Sequence, residues 1–376
     1  MKWEKKKLCE CTEYITDGDH QPAPKADKGV HFIKIKDIVN NQVSFDAQVY
    51  VPQEYYDNLP MERKPQKEDV LYTVVGSFGI PSYVQTDELF CFERNIALLH
   101  PNKDIEPRFL YYSLKNPAFY KGVEIVANGS AQKLIPLSKL KDLKILVPDK
   151  EAQRHIADIL SAYDDLIENN QRQIKLLEEA AQRLYKEWFV DLRFPGHENT
   201  KIVDGVPEGW SKSTVGNICK LRKVVITPDK IESNTPYIGL EHMPRNDICL
   251  STWGKSEEIN SNKFIYLKKD VLFGKIRPYF HKVGFALNDG ITSTDTMVMV
   301  ADQNLWGLLL VTVSSDAFVD FSYQNCKEGA KMPRADWKQM EKYAIMIADQ
   351  ATQKLFEQEI LVITNKISAL ASVSYT

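Results

Sequence analysis

The sequence predicts an α+β fold: two mixed α/β globular domains, pseudo-repeated, each followed by a long helix with a coiled-coil seam. Three observations predict it. Residues 151–189 contain no proline or glycine and place apolar residues at alternating steps of four and three. The tail from Asp349 repeats that pattern 200 residues later. Elsewhere the strands are short, separated by turn signals and mixed with brief helices.

The 376 residues suit two to three domains at roughly 100–200 residues each. The first domain, residues 1–149, carries strand-like Lys34-Ile35-Lys36 and Val70 to Val75, and a helical stretch from Pro107 to Leu114. The first long helix, residues 150–194, follows Pro148 and stops before Pro195-Gly196. Its seam is Ile156, Leu160, Tyr163, Ile167, Asn170, Ile174, Leu177, Ala181, Leu184 and Trp188. A strict 3.5-residue period over more than four heptads needs a partner helix, whereas a helix lying on a globular core shows a broader stripe. Asn170 sits mid-seam, where a polar residue lowers stability but fixes register.

The second domain, residues 195–348, has strands at Ile265–Leu267, Val271–Ile276 and Met297–Val300 and a helical stretch at Leu305–Val313. The second helix, residues 349–376, has the seam Phe356, Ile360, Ile363, Ile367 and Leu370 and is the shorter of the two. Gln353 matches Gln153. Further echoes are Asp69-Val70-Leu71-Tyr72 with Asp270-Val271-Leu272-Phe273, and Phe32-Ile33-Lys34-Ile35 with Tyr237-Ile238-Gly239-Leu240. The stretch Gly129 to Leu143 corresponds loosely to Gly329 to Met340. Retained order with drifting offsets means one duplicated unit with insertions in its loops.

Composition excludes several classes. A formal charge of -3, from 48 basic and 51 acidic residues, excludes a globally basic polyanion binder but not a locally basic one. The longest uncharged apolar run, Leu305 to Val313, is far below the ~20 residues of a membrane span. Met1 to Lys7 carries four lysines and no apolar core of a signal peptide, and the six cysteines form no Cys-x-x-Cys pair. No metal site is expected, and a cytoplasmic location is. There is no Walker A loop, Gly-x-Gly-x-x-Gly or His-Glu-x-x-His. Asn116-Pro117-Ala118-Phe119 has no S-adenosylmethionine glycine turn beside it and suits a helix junction. Asp149 and Glu151 suit a helix N-terminus through the macrodipole.

Several motifs resemble the specificity subunits of type I restriction–modification systems. They are Ile15-Thr16-Asp17-Gly18-Asp19-His20, the Gly129 to Leu143 segment, and above all Pro148-Asp149-Lys150-Glu151-Ala152-Gln153-Arg154-His155-Ile156-Ala157. The last is similar to the family's proline followed by Glu-x-Gln-x-x-Ile-Ala at the start of its conserved helix. Trp188-Phe189 leading to Pro195-Gly196, and Val206-Pro207-Glu208-Gly209-Trp210, also fit. The resemblance implies two target recognition domains, each reading half of a split double-stranded DNA sequence. It implies that the two helices pack as an antiparallel coiled coil and dock two methyltransferase subunits, with restriction subunits in the full complex. S-adenosylmethionine, ATP and Mg2+ would then sit on those partners, and this chain would be non-catalytic. A second helix ending at Thr376 is shorter than the family pattern, so a second copy of the chain, or a scaffold role without DNA specificity, stays open.

If the domains bind DNA, basic residues must gather on one face, because residues 1–150 carry 21 basic and 21 acidic groups and residues 196–348 carry 19 and 18. The densest group is Lys268, Lys269, Lys275, Arg277 and Lys282 against the single acid Asp270, interleaved with Tyr279, Phe280 and His281. Arg222 with Lys223, and Lys331 with Arg334, are further candidates. In the first domain the matching positions are Lys34, Lys36, Ser77, Tyr83, Gln132 and Lys133. A solvated charged hairpin explains any one of them equally well. Leu166, Leu176, Tyr185 and Phe189 are candidates for partner docking, and core packing explains each equally well.

Overall fold

The computed structural model describes residues 2–39, 41–127, 133–257, 259–302, 304–326 and 332–374. They form two compact units, Met1–Asp165 and Leu166–Thr376. The division falls inside the first long helix and not at residue 149, because the start of that helix belongs to the packing of the first domain.

Unit 1 contains β1 (Glu4–Lys7), β2 (Thr12–Asp17), β3 (Val30–Ile33), β4 (Tyr50–Val51), β5 (Val70–Thr73), β6 (Pro81–Tyr83), β7 (Phe90–Phe92) and β8 (Ile96–Pro101). Helices α1 (Pro107–Lys115), α2 (Pro117–Val126) and α3 (Leu137–Asp142) follow, then β9 (Lys144–Val147) and the start of α4 (Lys150–Tyr185). An antiparallel sheet in the order β2-β8-β5-β6 is the spine, and a smaller sheet, β4-β3-β7, pairs β3 with β7 in parallel. The spine is buried on both faces, which is why its strands are continuous apolar runs. Val70, Tyr72, Ala97 and Leu99 face α1 and α2, while Leu71, Ile96 and Leu98 face Ile33, Phe90 and Phe92.

Local sequence explains the helix starts. Asn116 Oδ1 accepts from the Ala118 N–H at 2.8 Å with Pro117 in the first turn, so Asn116-Pro117-Ala118-Phe119 is the cap of α2. Asp149 Oδ1 accepts from Ala152 N–H (2.9 Å) at the start of α4. One turn on, Gln153 Oε1 accepts from the Glu106 N–H at 2.9 Å, tying α4 to the beginning of α1. Lys34 and Lys36 follow the end of β3 in a short turn rather than a strand, since Asp37 Oδ2 takes the Lys34 N–H at 2.9 Å.

Unit 2 takes in the rest of α4, then β10 (Ser211–Thr214), β11 (Lys220–Leu221), β12 (Val225–Ile226), β13 (Tyr237–Ile238), β14 (Cys249–Leu250), β15 (Lys263–Tyr266), β16 (Val271–Gly274), β17 (Val283–Ala286), β18 (Gly290–Thr292) and β19 (Thr296–Val300). It ends with α5 (Trp306–Val313), α6 (Asp316–Gln324), α7 (Trp337–Met340), β20 (Ala344–Ile347) and α8 (Gln350–Ser374). The sheets run β11-β19-β16-β17-β14 and β12-β15-β18-β13. The plan repeats unit 1: β10 pairs β20 as β1 pairs β9, and β13 pairs β18 in parallel as β3 pairs β7. Every residue of α5 is buried, the environment its nearly unbroken apolar run requires.

Within unit 2, Trp188 and Phe189, just past the end of α4, meet Phe356 near the start of α8 with ring centroids 5.6 and 4.8 Å apart. The end of α4 therefore lies against the start of α8. Ile174, Leu177, Ala181 and Leu184 share one core with Phe356, Ile360, Ile363 and Ile367, and Asn170 is 4% exposed. That core includes α5 and the large sheet, so the seam is one side of a domain core and not a free two-stranded coil. Tyr185 and Phe189 also belong to it, whereas Leu166 and Leu176 are exposed. Ile167 and Leu370 are half-buried. In unit 1, Ile156 packs on the core, but Leu160 and Tyr163 are 39% and 63% exposed. Heptad spacing marks a face; it does not set how far along that face a partner reaches.

Candidate nucleic-acid interface

One loop recurs in both units. In unit 1 it joins β5 to β6 through residues 74–80, and in unit 2 it joins β16 to β17 through residues 275–282. A buried aspartate stands at the base of each. Asp69 Oδ2 accepts from the Gln66 N–H (2.7 Å) and Asp270 Oδ2 from the Leu267 N–H (2.8 Å), and each follows a residue of positive φ, Glu68 and Lys269. Each loop is then pinned to the segment before the short helix. Ile135 N–H donates to Val74 O and Gly76 N–H to Lys133 O; Ala335 N–H donates to Lys275 O and Arg277 N–H to Pro333 O. Two left-handed residues shape each turn: Gly76 (φ 71°) and Gly79 (φ 85°) in unit 1, Arg277 (φ 51°) and His281 (φ 52°) in unit 2. An aromatic from the loop meets one from the second helix in each case, Phe78 on Tyr120 (5.9 Å) and Tyr279 on Tyr323 (5.2 Å).

The charges separate into bonded and unbonded groups. Arg222 is bonded to Asp270, Nε to Oδ2 at 2.9 Å and an Nη to Oδ1 at 3.3 Å, so it holds the loop base instead of facing a ligand. Lys275 Nζ donates to Thr294 O (2.6 Å), and burial, with Arg334 and Lys223 nearby, pushes its ammonium below the usual lysine range. Lys282 donates to Leu240 O and is lowered by burial and by Arg245. Arg334 pairs with Asp295 at 3.2 Å yet stays exposed, as does Lys223. Arg277 is exposed with its guanidinium 5.7 Å from the Phe280 ring centroid. Tyr279 is 47% exposed.

In unit 1 the exposed pair is Ser77, at the loop tip, and Lys133, whose ammonium lies 5.5 Å from the Phe78 ring. Tyr83 is turned inward. It packs on the core beside Tyr111, with Arg108 5.5 Å from its ring, and burial raises its hydroxyl pKa. Among the described residues, Lys34 and Lys36 have no side-chain bond to the loop, and they lie in the short turn after β3. Gln132 and Lys331, with Gly129-Ser130 and Glu328-Gly329, lie outside the described residues. Sequence reasoning missed Arg245, whose guanidinium is 3.9 Å from the Phe280 ring, and the helix tyrosines Tyr120 and Tyr323. The tyrosines could have been found from the repeat; Arg245 could not, because it reaches Phe280 from a separate loop. Each loop thus presents aromatic edges and cationic donors, a surface chemically suited to phosphate and base contacts. Among the described residues no cluster of His, Cys, Asp or Glu could hold a metal ion, and no helix is long and apolar enough to cross a membrane.

The chain is a duplicated α+β domain, each copy presenting a pinned hairpin loop. Residues 1–179 match the model of the type I restriction modification DNA specificity domain. The chain is 28% identical over 193 residues to the type I restriction enzyme MjaIX specificity subunit of Methanocaldococcus jannaschii, covering 48% of this chain and 44% of that one. Over 303 residues it is 22% identical to the type I restriction enzyme EcoDI specificity subunit of Escherichia coli, covering 72% and 65%. Its fold is similar to that of the type I restriction–modification system S subunit from M. genitalium, with a TM-score of 0.61 and 16% identity over 100% of this chain and 93% of that one. The chain spans about half the length of the curated relatives it matches first, 44% and 52%.

Proposed function

We propose that this chain is the DNA-sequence-specificity subunit of a type I restriction–modification complex, reading a bipartite double-stranded target with one half-site per unit. The observation that carries this reading is the repeated loop: same base, same pinning and same aromatic pair, with different side chains at the tip. A duplicated scaffold with diverged tips is what two different half-sites require. Direct readout then comes from loop side chains at base edges, while the exposed Lys223 contributes a phosphate contact that sets register. Two methyltransferase subunits dock on α4 and α8, restriction subunits complete the assembly, and S-adenosylmethionine, ATP and Mg2+ belong to those partners. This chain contributes recognition and no catalytic group, and it works in the cytoplasm.

The test is selection from a random DNA library by the full chain together with its methyltransferase. Two short preferred blocks around a spacer of fixed length are expected. Replacing the exposed cations between 268 and 282 should blur one block and leave the other. A library that shows no enrichment overturns DNA specificity and favours a scaffold that binds protein alone.

A further inference from the structure

We infer that Arg277 reads a guanine in the half-site of unit 2, and that unit 1 reads its half-site with no arginine at the equivalent place. The inference rests on the DNA-reading role proposed above and extends it to one side chain and one base.

The argument starts from backbone conformation. Arg277 sits at φ 51°, where a side chain is strained and glycine is not. The equivalent loop of unit 1 makes the same turn with Gly76 at φ 71°, so the turn itself does not require arginine. A strained residue retained where glycine would serve is there for its side chain. The other left-handed residue of this loop has such an account inside the domain, since His281 Nε2 lies 2.8 Å from Ser314 O and Nδ1 3.4 Å from an Asp316 carboxylate oxygen. Arg277 has none. Among the described residues its guanidinium meets no carboxylate and no carbonyl, and its only side-chain neighbour of note is the Phe280 ring.

Elimination among the neighbouring cations points the same way. Arg222, Lys275, Lys282 and Arg334 are each bonded to a carboxylate or a backbone carbonyl. Arg277 is exposed and lies on the hairpin turn, and among the described residues its guanidinium donors have no bonded partner. Its backbone is held on both sides, by the Arg277 N–H to Pro333 O bond and by the Phe280 N–H to Arg277 O bond, so little conformational freedom is lost on binding. An aromatic neighbour leaves the N–H edge of a planar guanidinium open. That edge matches the O6 and N7 acceptors that guanine presents side by side in the major groove. Arg245, on the same ring at 3.9 Å, adds positive charge that draws the DNA backbone toward the loop.

The experiment repeats the library selection with the full chain and its methyltransferase, comparing the parent with Arg277→Gly and Arg277→Lys. Glycine fits the left-handed turn, so the first variant keeps the fold. The expected result is that one guanine position in one block loses its preference by about 10- to 100-fold in both variants, with the other block unchanged. Two intact blocks in the parent, with a uniform loss at all positions in Arg277→Gly, make Arg277 a phosphate contact and overturn the inference while the DNA-reading role stands. An unchanged logo overturns it too. Absence of any block in the parent removes the role and the inference together.

Discussion

The two loops, residues 74–80 and 275–282, solve one backbone problem with different residues, and the difference separates a shared backbone from diverged tips. Both need two left-handed residues and both are pinned to the segment before the following short helix. Unit 1 meets the need with Gly76 and Gly79; unit 2 meets it with Arg277 and His281. Glycine takes that conformation without strain, whereas arginine and histidine each carry about 1–2 kcal/mol of it. The scaffold beneath did not diverge in kind: a buried aspartate, a positive-φ residue before it and an aromatic pair recur. Duplication thus conserved the frame and left the tips free to change.

The comparison breaks most visibly at the buried aspartates. Asp270 satisfies a permanent cation, Arg222, and the Leu267 N–H. Asp69, fully buried, meets the Gln66 N–H and the His100 ring at 2.6 Å. Asp270→Ala leaves a partly buried guanidinium uncompensated and should lower stability by about 3–5 kcal/mol. Asp69→Ala leaves an imidazole able to change tautomer and should cost about 1–3 kcal/mol. Urea unfolding followed at two wavelengths measures both; a loss at Asp69 as large as that at Asp270 would mean that His100 depends on its aspartate as much as Arg222 does.

Much of this frame was legible. The offset of 200 between seams puts β9 over β20 and α4 over α8, and the Asp69/Asp270 echo marks both loop bases. What failed was assignment of single charges. Arg222 looked like a free cation because its partner, Asp270, is 48 residues away. Tyr83 looked like a contact residue, but strand alternation places it toward α1 and the core. The seam was legible as a face, yet Leu160 and Tyr163 are exposed, because spacing carries no information on the extent of cover. Gln153 and Gln353 were matched by position, but their partners differ. Gln153 takes the amide before α1, whereas Gln353 turns to Glu357, which itself accepts from Gly307 and Leu308 at the start of α5 at 2.6 and 3.0 Å.

The helix seam offers a second, smaller contrast, which pH can sharpen. Within unit 2, α4 buries Glu178, which accepts from the Ile248 N–H at 2.8 Å. Burial is the chief cause that raises its carboxyl to about 8, with Asp247 adding to it and the backbone amides opposing. Asp247 is raised as well, mainly by burial, with Lys175 opposing. A raised acid binds its proton more tightly in the folded chain, so its contribution is full below the ordinary carboxylate pKa. That contribution is lost as pH rises toward 8. The melting temperature of the parent should therefore fall between pH 5 and pH 8. Glu178→Gln should flatten that fall by several degrees, since each 1 kcal/mol moves the melting temperature of a domain of this size by about 2–4 °C. Equal slopes in the two proteins would show that the carboxylate is not protonated in place.

The smallest expected effect tests the loop comparison itself. If Arg277 is strained for readout alone, Arg277→Gly should leave stability unchanged or raise it by up to about 1 kcal/mol. Relief of the left-handed strain is then set against the extra freedom of glycine in the unfolded chain. The converse substitution at the other left-handed glycine of the unit 1 loop, Gly79→Ala, should lower stability by about 1–2 kcal/mol. The residue has φ 85°, and a Cβ there would stand 2.5 Å from the Tyr120 ring. Paired urea titrations decide the matter. A loss above about 1 kcal/mol in Arg277→Gly would mean that the guanidinium–Phe280 contact holds the loop, and Arg277 would then be a strut whose strain is offset inside the domain. No loss, beside a clear loss in Gly79→Ala, would mean that the two loops share a backbone and differ in what their tips are for.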